Sequence, residues 1–336
     1  MYTFGLFGAG RIGRLHATNI AANPRARLAY VYDPDAAAAE VVAASCGAHV
    51  APNVQAILED RAVNAVLIAS PTSTHVGLIT AAARARKAIL CEKPIDLDIQ
   101  RVEQCNRDIA GTGVAVQIGF NRRYDRSHRA VHDAVRAGQI GALELLVITS
   151  RDVRLAPLPY LRASGGIFRD MTIHDFDMAR FILGDDPIEE IHAVGSVMVD
   201  RAIQEFGDLD TAMVTMKAAS GALVHINNSR RAVYGYDQRI EAFGADGMVQ
   251  SENLRASSLV RHSATVTDAK DPLLDFFVER YAQAYVDELD AFIDVIAGEK
   301  PATPNFEDGR RALLLADAAW ESVRSGKPSR VNLETR

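Results

Sequence analysis

The sequence predicts a doubly wound α/β domain followed by an α+β domain with an open, largely antiparallel sheet. Three observations support this prediction: a length of 336 residues, a strand and helix alternation up to about residue 120, and consecutive strands after it. A chain of this length has room for about two domains with substantial cores. We therefore expect domains over 1–120 and 121–336, with a C-terminal helix that can pack back on the first domain.

The first 120 residues alternate short β-rich runs with helical patterns. The patterns predict strands at 4–7, 28–32, 65–69, 88–91 and 114–118, and helices at 11–22, 35–46, 74–86 and 97–109. Such alternation is typical of parallel strands that are joined by right-handed helical crossovers. The first domain is therefore predicted to contain a parallel sheet with helices on both faces.

Beyond residue 120, predicted strands follow one another with few helices between them. They lie at 143–150, 188–199, 211–218, 222–229, 238–243 and 247–250. Short connections such as Ala219-Ser220-Gly221 favour antiparallel pairing. Two helices, at 274–297 and 308–324, are predicted to end the chain.

Composition excludes several classes of partner. The formal net charge is −6 and no long run of Lys or Arg occurs, which argues against nucleic acid and anionic membranes as partners. The three cysteines form neither a disulfide framework nor a C-x-x-C motif, and no signal peptide or membrane-length apolar run is recognised. We expect a cytoplasmic protein that acts on a small molecule.

A glycine motif, Gly8-Ala9-Gly10-Arg11-Ile12-Gly13, joins the first predicted strand to the first helix. Its glycines permit a tight turn and close approach of a pyrophosphate to the helix N-terminus. Asp33 follows the motif by 20 residues, where a carboxylate can bind an adenosine ribose and would repel a 2′-phosphate. These residues favour NAD over NADP. The alternative is that Asp33 only caps the next helix, although Asp35 is an equally good cap.

Glu92-Lys93-Pro94 follows the predicted strand 88–91, so Lys93 emerges at the carboxyl end of the parallel sheet. Ligands of open α/β sheets bind at this edge. A lysine at a strand end is also commonly a solvated surface charge. Position alone leaves both interpretations open.

The densest polar cluster lies at 165–177. On a helix that begins near Asp170, the side chains of Asp170, His174 and Asp177 share one face. A carboxylate one turn from an imidazole can orient the ring and stabilise its protonated form, as a general base requires. A metal site formed by these three residues and a purely structural histidine are the alternatives, and the metal is the weaker because no further ligands converge by pattern.

Two further polar groups could line a cleft and bind hydroxyls, or could be solvated loops. They are Arg122-Arg123 and the segment 227–231 together with Tyr234 and Tyr236.

In combination, these motifs resemble the glucose-fructose oxidoreductase, inositol dehydrogenase and rhizopine-catabolism family over essentially the whole chain. The resemblance rests on the glycine motif, Glu92-Lys93-Pro94, the pair Asp170 and His174, and the segment 308–313. It implies an N-terminal Rossmann domain, NAD as cofactor, and a C-terminal sheet whose outer face builds dimers or tetramers. The segments 119–125, 165–180 and 227–236 are most similar to the inositol-oxidising members.

The resemblance also assigns residues to roles. It implies that Lys93, Asp170 and His174 are catalytic, with the lysine and the histidine flanking the reacting hydroxyl. It assigns cofactor binding to Gly8, Ala9, Gly10, Arg11, Ile12, Gly13, Asp33, Ser70, Thr72, His75, Glu92 and Lys93. It assigns substrate binding to Lys93, Asn121, Arg122, Asp170, His174 and Tyr236. No metal is expected.

The implied reaction is NAD-dependent oxidation of a secondary hydroxyl of a cyclic polyol, namely myo-inositol to scyllo-inosose. The loop 151–163 should reach over the substrate, but it has no residue-by-residue match to the inositol enzymes. Another inositol isomer, a pyranose or levoglucosan therefore remains an alternative substrate. A non-catalytic NAD sensor is the alternative outside this chemistry.

Overall fold

The computed structural model describes residues 1–331, which form two compact units. The first unit comprises Met1–Asn121 and Gln283–Leu313. The second comprises Arg122–Ala282 and the described residues from Leu314 onward. The chain therefore returns to the first unit after leaving it at residue 121.

The first unit is built on a six-stranded parallel sheet. The strands are β1 (Tyr2–Phe7), β2 (Ala26–Tyr32), β3 (His49–Val50), β4 (Ala65–Ile68), β5 (Ala88–Glu92) and β6 (Val116–Gly119), in the order β3-β2-β1-β4-β5-β6. The order reverses between β1 and β4, which is the position where open α/β sheets bind ligands. The predicted parallel, doubly wound architecture is confirmed.

Five helices alternate with these strands. They are α1 (Arg11–Ala22), α2 (Ala36–Cys46), α3 (Val54–Glu59), α4 (His75–Arg84) and α5 (Ile99–Ile109). The sequence patterns predict four of them and miss α3, together with β3. Both elements are too short to show a hydrophobic period.

The second unit is built on a seven-stranded mixed sheet. Its strands are β7 (Leu143–Arg151), β8 (Ile188–Ser196), β9 (Thr211–Ala218), β10 (Leu223–Ser229), β11 (Asp237–Gly244), β12 (Gly247–Ser251) and β15 (Ser329–Arg330), in the order β12-β11-β7-β10-β9-β8-β15. All neighbours pair antiparallel except β7 and β10, which run parallel. A separate hairpin joins β13 (Val260–Arg261) to β14 (Ala269–Lys270). The predicted, largely antiparallel sheet is confirmed.

Several helices of the second half differ from the predictions. The structure adds α6 (Arg126–Arg136) and α7 (Leu158–Ala163), and α8 (Ile173–Leu183) is preceded by a π-helical turn, Phe168–Thr172. The single helix predicted over 274–297 is wrong. It is two helices, α9 (Phe277–Arg280) and α10 (Ala282–Ile296), because the backbone leaves helical values at Tyr281 (φ −110°, ψ 16°).

The returning segment completes the core of the first unit. Leu289, Phe292 and Ile293 of α10 are buried, and the Phe292 ring centroid lies 6.2 Å from that of Phe4 in β1. The last helix, α11 (Phe306–Ser325), continues from the first unit into the second, where Trp320 contacts Phe168 edge-on. Within residues 1–331, no helix combines the length and the apolar character that crossing a bilayer requires.

Candidate active site

The glycine motif forms the turn between β1 and α1, and its three glycines differ in what they contact. Gly8 has φ +103°, and a Cβ there would lie 2.6 Å from the backbone of Ala69. A Cβ on Gly13 would lie 2.0 Å from the carbonyl oxygen of Gly8. A Cβ on Gly10 would meet no described atom within 4 Å, so the fold itself does not require a glycine there. The open space beside Gly10, at the N-terminus of α1, fits the pyrophosphate of a dinucleotide.

Asp33 anchors this loop and does not cap a helix. Its Oδ2 accepts a hydrogen bond from the backbone N–H of Ala9 at 2.7 Å, and its Oδ1 accepts from that of Asp35 at 2.9 Å. Asp35 is the N-cap of α2 and accepts from the N–H of Ala38. The capping alternative therefore belongs to Asp35. Asp33, half-buried at the end of β2, retains lone pairs that can accept from ribose hydroxyls.

His75 ties together the loops that follow β4 and β5. Its Nδ1 lies 2.8 Å from the carbonyl oxygen of Pro94, and its Nε2 lies 2.8 Å from that of Ser70. Burial lowers the pKa of the imidazole, which is 1% exposed. His75 thus fixes Ser70, next to Thr72, relative to the turn that carries Lys93. Direct contact of His75 with a cofactor stays a prediction.

Glu92, which directly precedes Lys93, interacts with two buried residues, His16 and Glu288. Glu92 Oε1 is 2.8 Å from Nε2 of the buried His16, and a Cβ on Gly119 would come within 3.1 Å of the Glu92 carboxyl group. Glu288 of α10 is fully buried, and neither of its carboxyl oxygens has a hydrogen-bond partner among residues 1–331. Burial, followed by the charge of Glu92, raises the pKa of Glu288 well above its ordinary value. Burial thus favours the protonated, neutral form of the Glu288 carboxyl group.

Glu288→Met is expected to stabilise the protein, and more so at pH 8 than at pH 5. An acid whose pKa is raised by folding weakens the folded state once the pH exceeds its unfolded-state value, because only the unfolded chain can release the proton easily. Removing two unsatisfied buried oxygens is also worth about 1–3 kcal/mol in the free energy of unfolding. Thermal melts at both pH values measure the effect, with the exposed Glu299→Gln as control. A lower melting temperature for Glu288→Met at pH 8 would contradict this account.

In the second unit, Asp170 lies in the π-helical turn and His174 lies in the first turn of α8; both are half-buried. Asp170 Oδ1 accepts a hydrogen bond from the Tyr160 hydroxyl at 2.7 Å, and Oδ2 accepts from Arg230 Nη1 at 3.0 Å. Single π-helical turns occur frequently at functional sites. The sequence predicts a continuous α-helix from Asp170, but the structure has this wider turn first and begins the α-helix at Ile173.

The sequence predicts Asp177 on the same helix face as Asp170 and His174, but the structure buries it in a salt bridge. It is 1% exposed and binds Arg123 through both carboxylate oxygens, at 2.8 Å from Nε and 2.5 Å from Nη2. Its charge is thus neutralised by a bidentate pair. Across residues 1–331 no group of three or more His, Cys, Asp or Glu side chains is arranged to hold a metal ion.

Asp175 organises a second buried network, which includes a predicted substrate ligand. Arg122 Nη1 donates to Asp175 Oδ1 at 2.7 Å and to the Ser150 hydroxyl at 2.8 Å, and Asn228 Nδ2 donates to Asp175 Oδ2 at 2.7 Å. Arg122 is 6% exposed. The structure therefore gives Arg122 a role in holding β7, β10 and α8 together.

Tyr236 and Asn121 are also buried. The Tyr236 ring meets that of Tyr281 edge-on, and burial raises the pKa of its hydroxyl well above the ordinary value. Asn121, at the end of the first unit, is 2% exposed, and its Nδ2 has no hydrogen-bond partner in the described part of the chain. That free amide hydrogen-bonding capacity is suited to a ligand.

Sequence reasoning missed the roles of Tyr160, Arg230, Asp175 and Glu288. Tyr160 lies in the loop that has no residue-by-residue match, and Arg230 was noted only as part of a polar segment. Arg230 and Asp175 acquire their roles from partners distant in the chain: Asp170 is 60 residues from Arg230, and Arg122 is 53 residues from Asp175. No local pattern contains such a signal.

Both halves of the chain match models of known protein families. Residues 2–120 match a family model described as an oxidoreductase family with an NAD-binding Rossmann fold, and residues 128–250 match the GFO/IDH/MocA C-terminal domain. Inositol 2-dehydrogenase of Rhizobium meliloti strain 1021 is 48% identical over 95% of this chain and 96% of its own. Myo-inositol 2-dehydrogenase of Thermotoga maritima is 44% identical over 95% of each chain.

A solved structure gives the same result for the fold. The crystal structure of a myo-inositol dehydrogenase from Corynebacterium glutamicum ATCC 13032 superposes with a TM-score of 0.95 at 45% identity, covering 99% of both chains. The chain therefore belongs to the GFO/IDH/MocA oxidoreductase family, whose first domain is an NAD-binding Rossmann fold.

Proposed function

We propose that this protein is an NAD-dependent dehydrogenase that oxidises a secondary ring hydroxyl of a cyclic polyol, converting myo-inositol to scyllo-inosose. The observation that carries the proposal is the full-length similarity to inositol 2-dehydrogenase. The resemblance assigns the catalytic roles to Lys93, Asp170 and His174, and we propose that all three act here. A sensor that only binds NAD would not need all three.

In the proposed reaction the substrate loses two hydrogens, one from carbon as hydride and one from the hydroxyl as a proton. When bound, NAD would supply the hydride acceptor for the carbinol hydrogen. His174 accepts the hydroxyl proton through a ring nitrogen, Asp170 orients the imidazole and offsets its charge, and Lys93 stabilises the developing alkoxide or completes a proton relay. General base catalysis contributes roughly 10²- to 10⁴-fold, and positioning against the cofactor supplies the rest.

The loops of the first unit supply a fitting NAD site. The residues proposed to hold the cofactor are Gly8, Ala9, Gly10, Arg11, Ile12, Gly13, Asp33, Ser70, Thr72, Glu92 and Lys93, with His75 behind them. Asp33 supports NAD over NADP because it is an acceptor for ribose hydroxyls and would repel a 2′-phosphate.

Asn121, Arg122 and Tyr236 are proposed, together with the catalytic residues, to bind the other hydroxyls of the ring. A site that hydrogen-bonds a hydroxyl rejects analogues that lack it much better than an apolar pocket does. Selectivity among ring stereoisomers should therefore be strong.

We also propose a cytoplasmic homo-oligomer, a dimer or tetramer. Leu145, Met213, Leu223 and Phe243 lie on neighbouring strands of the second sheet and are 41–55% exposed, which supports burial of this face against another copy. The buried free thiols Cys91 and Cys105 suit a reducing compartment. Light scattering coupled to size-exclusion chromatography measures the assembly.

The testing experiment is the initial rate of NAD and of NADP reduction with myo-inositol, scyllo-inositol, chiro-inositol, glucose and levoglucosan. We expect turnover with NAD and myo-inositol, with selectivity of about 10²-fold or more over plain cyclohexanols. Turnover of a sugar alone would retain the cofactor and the catalytic residues but change the substrate. No turnover with any of these compounds, alongside measurable NAD binding, would favour the sensor.

A further inference from the structure

A chain of polar side chains in the second unit ends on the proposed catalytic carboxylate. The Tyr160 hydroxyl donates to Asp170 Oδ1 at 2.7 Å, and Arg230 Nη1 donates to Oδ2 at 3.0 Å. Arg230 Nη2 lies 3.8 Å from Asp208 Oδ2, and Asp208 Oδ1 accepts from the N–H of Ile167 at 2.8 Å. Both oxygens of Asp170 are thus bound by donors from other elements.

Arg230 is a buried cation whose one side-chain hydrogen bond in residues 1–331 goes to Asp170. It is 2% exposed. Three carboxylates face it, those of Asp170, Asp152 and Asp208; burial opposes their attraction, and the net result is a raised pKa for the guanidinium. A buried charge that loses its partner is strongly destabilised. Protonation of Asp170 would weaken the attraction at the only one of these carboxylates that lies within hydrogen-bonding distance of Arg230 in residues 1–331, so the pair favours Asp170 as an anion.

Tyr160 acts on the other oxygen. Tyr160 lies on α7 and is 52% exposed as a residue, but its hydroxyl donates to Asp170. Burial of the hydroxyl, reinforced by the charge of Asp170, raises the pKa of Tyr160. Tyr160 therefore remains a neutral phenol and a hydrogen-bond donor at any pH where the protein works.

We propose that Arg230 and Tyr160 are positioning residues that hold Asp170 as a fixed anion, so that the substrate proton remains on His174 and does not pass to Asp170. This inference rests on the proposed function and assigns its acid–base roles: His174 takes the proton, and Asp170 stays charged. A carboxylate oxygen can accept more than one hydrogen bond, so Asp170 retains capacity to orient the imidazole. Arg230 and Tyr160 act through Asp170, and neither exchanges a proton itself.

The test is the pH dependence of kcat/KM in Arg230→Gln, Arg230→Lys and Tyr160→Phe. In Arg230→Gln the acidic limb, which reports protonation of the His174–Asp170 pair, should move up by about one pH unit or more, because loss of a cation at hydrogen-bonding distance makes the pair bind a proton at higher pH. Arg230→Lys should keep the acidic limb close to its wild-type pH. Tyr160→Phe should shift the limb in the same direction as Arg230→Gln, but by less. The Kd for NAD should not change. Arg201→Gln, which replaces an exposed arginine elsewhere in the same unit, is the matched control.

A lower kcat with an unmoved acidic limb in all three variants would overturn the proposal and leave Arg230 a purely structural residue. If Arg230→Gln fails to fold, Tyr160→Phe still carries the test, because it removes the donor to the other Asp170 oxygen. The titration of the Asp170 carboxyl carbon by NMR, assigned with Asp170→Asn, gives a readout without turnover. An unshifted midpoint in Tyr160→Phe, and in Arg230→Gln where it folds, would refute the proposal even if no polyol is a substrate. Failure of the substrate panel alone would refute only the proposed function.

Discussion

His174→Ala is expected to lower kcat for polyol oxidation by about 10²-fold or more, because it removes the proposed proton acceptor. His174 lies in the first turn of α8, in the second unit, whereas the glycine loop, Asp33 and the Lys93 turn all belong to the first. The substitution should therefore leave the Kd for NAD unchanged. This separation of catalysis from cofactor binding distinguishes loss of a base from general damage.

Steady-state rates and fluorescence titration with NADH measure the two quantities. His262→Ala, at an exposed histidine in the same unit, should leave both unchanged. Partial recovery of the His174→Ala rate by added imidazole would support the assignment further. Near wild-type turnover in His174→Ala would remove His174 from the mechanism and make Lys93 the candidate base.

The parts of this molecule that the sequence predicts are those determined by neighbouring residues. The parallel sheet follows from fully apolar strands such as β4, which is buried along its whole length. The glycine motif is contiguous, and its position after β1 and before α1 is itself a local pattern. Asp33 follows at a fixed spacing because strand β2 must end at the same sheet edge as β1.

The remainder depends on contacts that no local pattern records. The turn at Asp170 is π-helical, and both carboxylate oxygens of Asp170 are bound by side chains 10 and 60 residues away. Arg122 looks like a solvent-facing charge in the sequence, yet it is buried because Asp175, 53 residues later, is there to bind it. Glu288 has no partner within the described residues, so no pairing rule could predict its burial.

Substitution by alanine is expected to have different effects at two glycines of the motif: at Gly13 it should lower stability, and at Gly10 it should weaken NAD binding. Gly13→Ala places a Cβ 2.0 Å from the Gly8 carbonyl oxygen, so the melting temperature without cofactor should fall. Gly10→Ala meets no described atom within 4 Å, and its φ of −71° with ψ of −168° is open to any residue. Its cost to the unliganded fold should be no more than about 1 kcal/mol, the ordinary loss at an N-cap.

Gly10→Ala should instead weaken NAD binding by about 100-fold, near 2.8 kcal/mol at 1.4 kcal/mol per tenfold, because its methyl group fills space that the pyrophosphate needs. Titration calorimetry with NAD and melting curves without it separate the two effects, and Gly77→Ala in the exposed part of α4 is the control. Wild-type affinity in Gly10→Ala would mean that the pyrophosphate lies elsewhere. A collapse of the unliganded fold would mean that the space beside Gly10 is structural. Only loss of affinity with an intact fold agrees with a glycine that is required by the ligand and not by the protein.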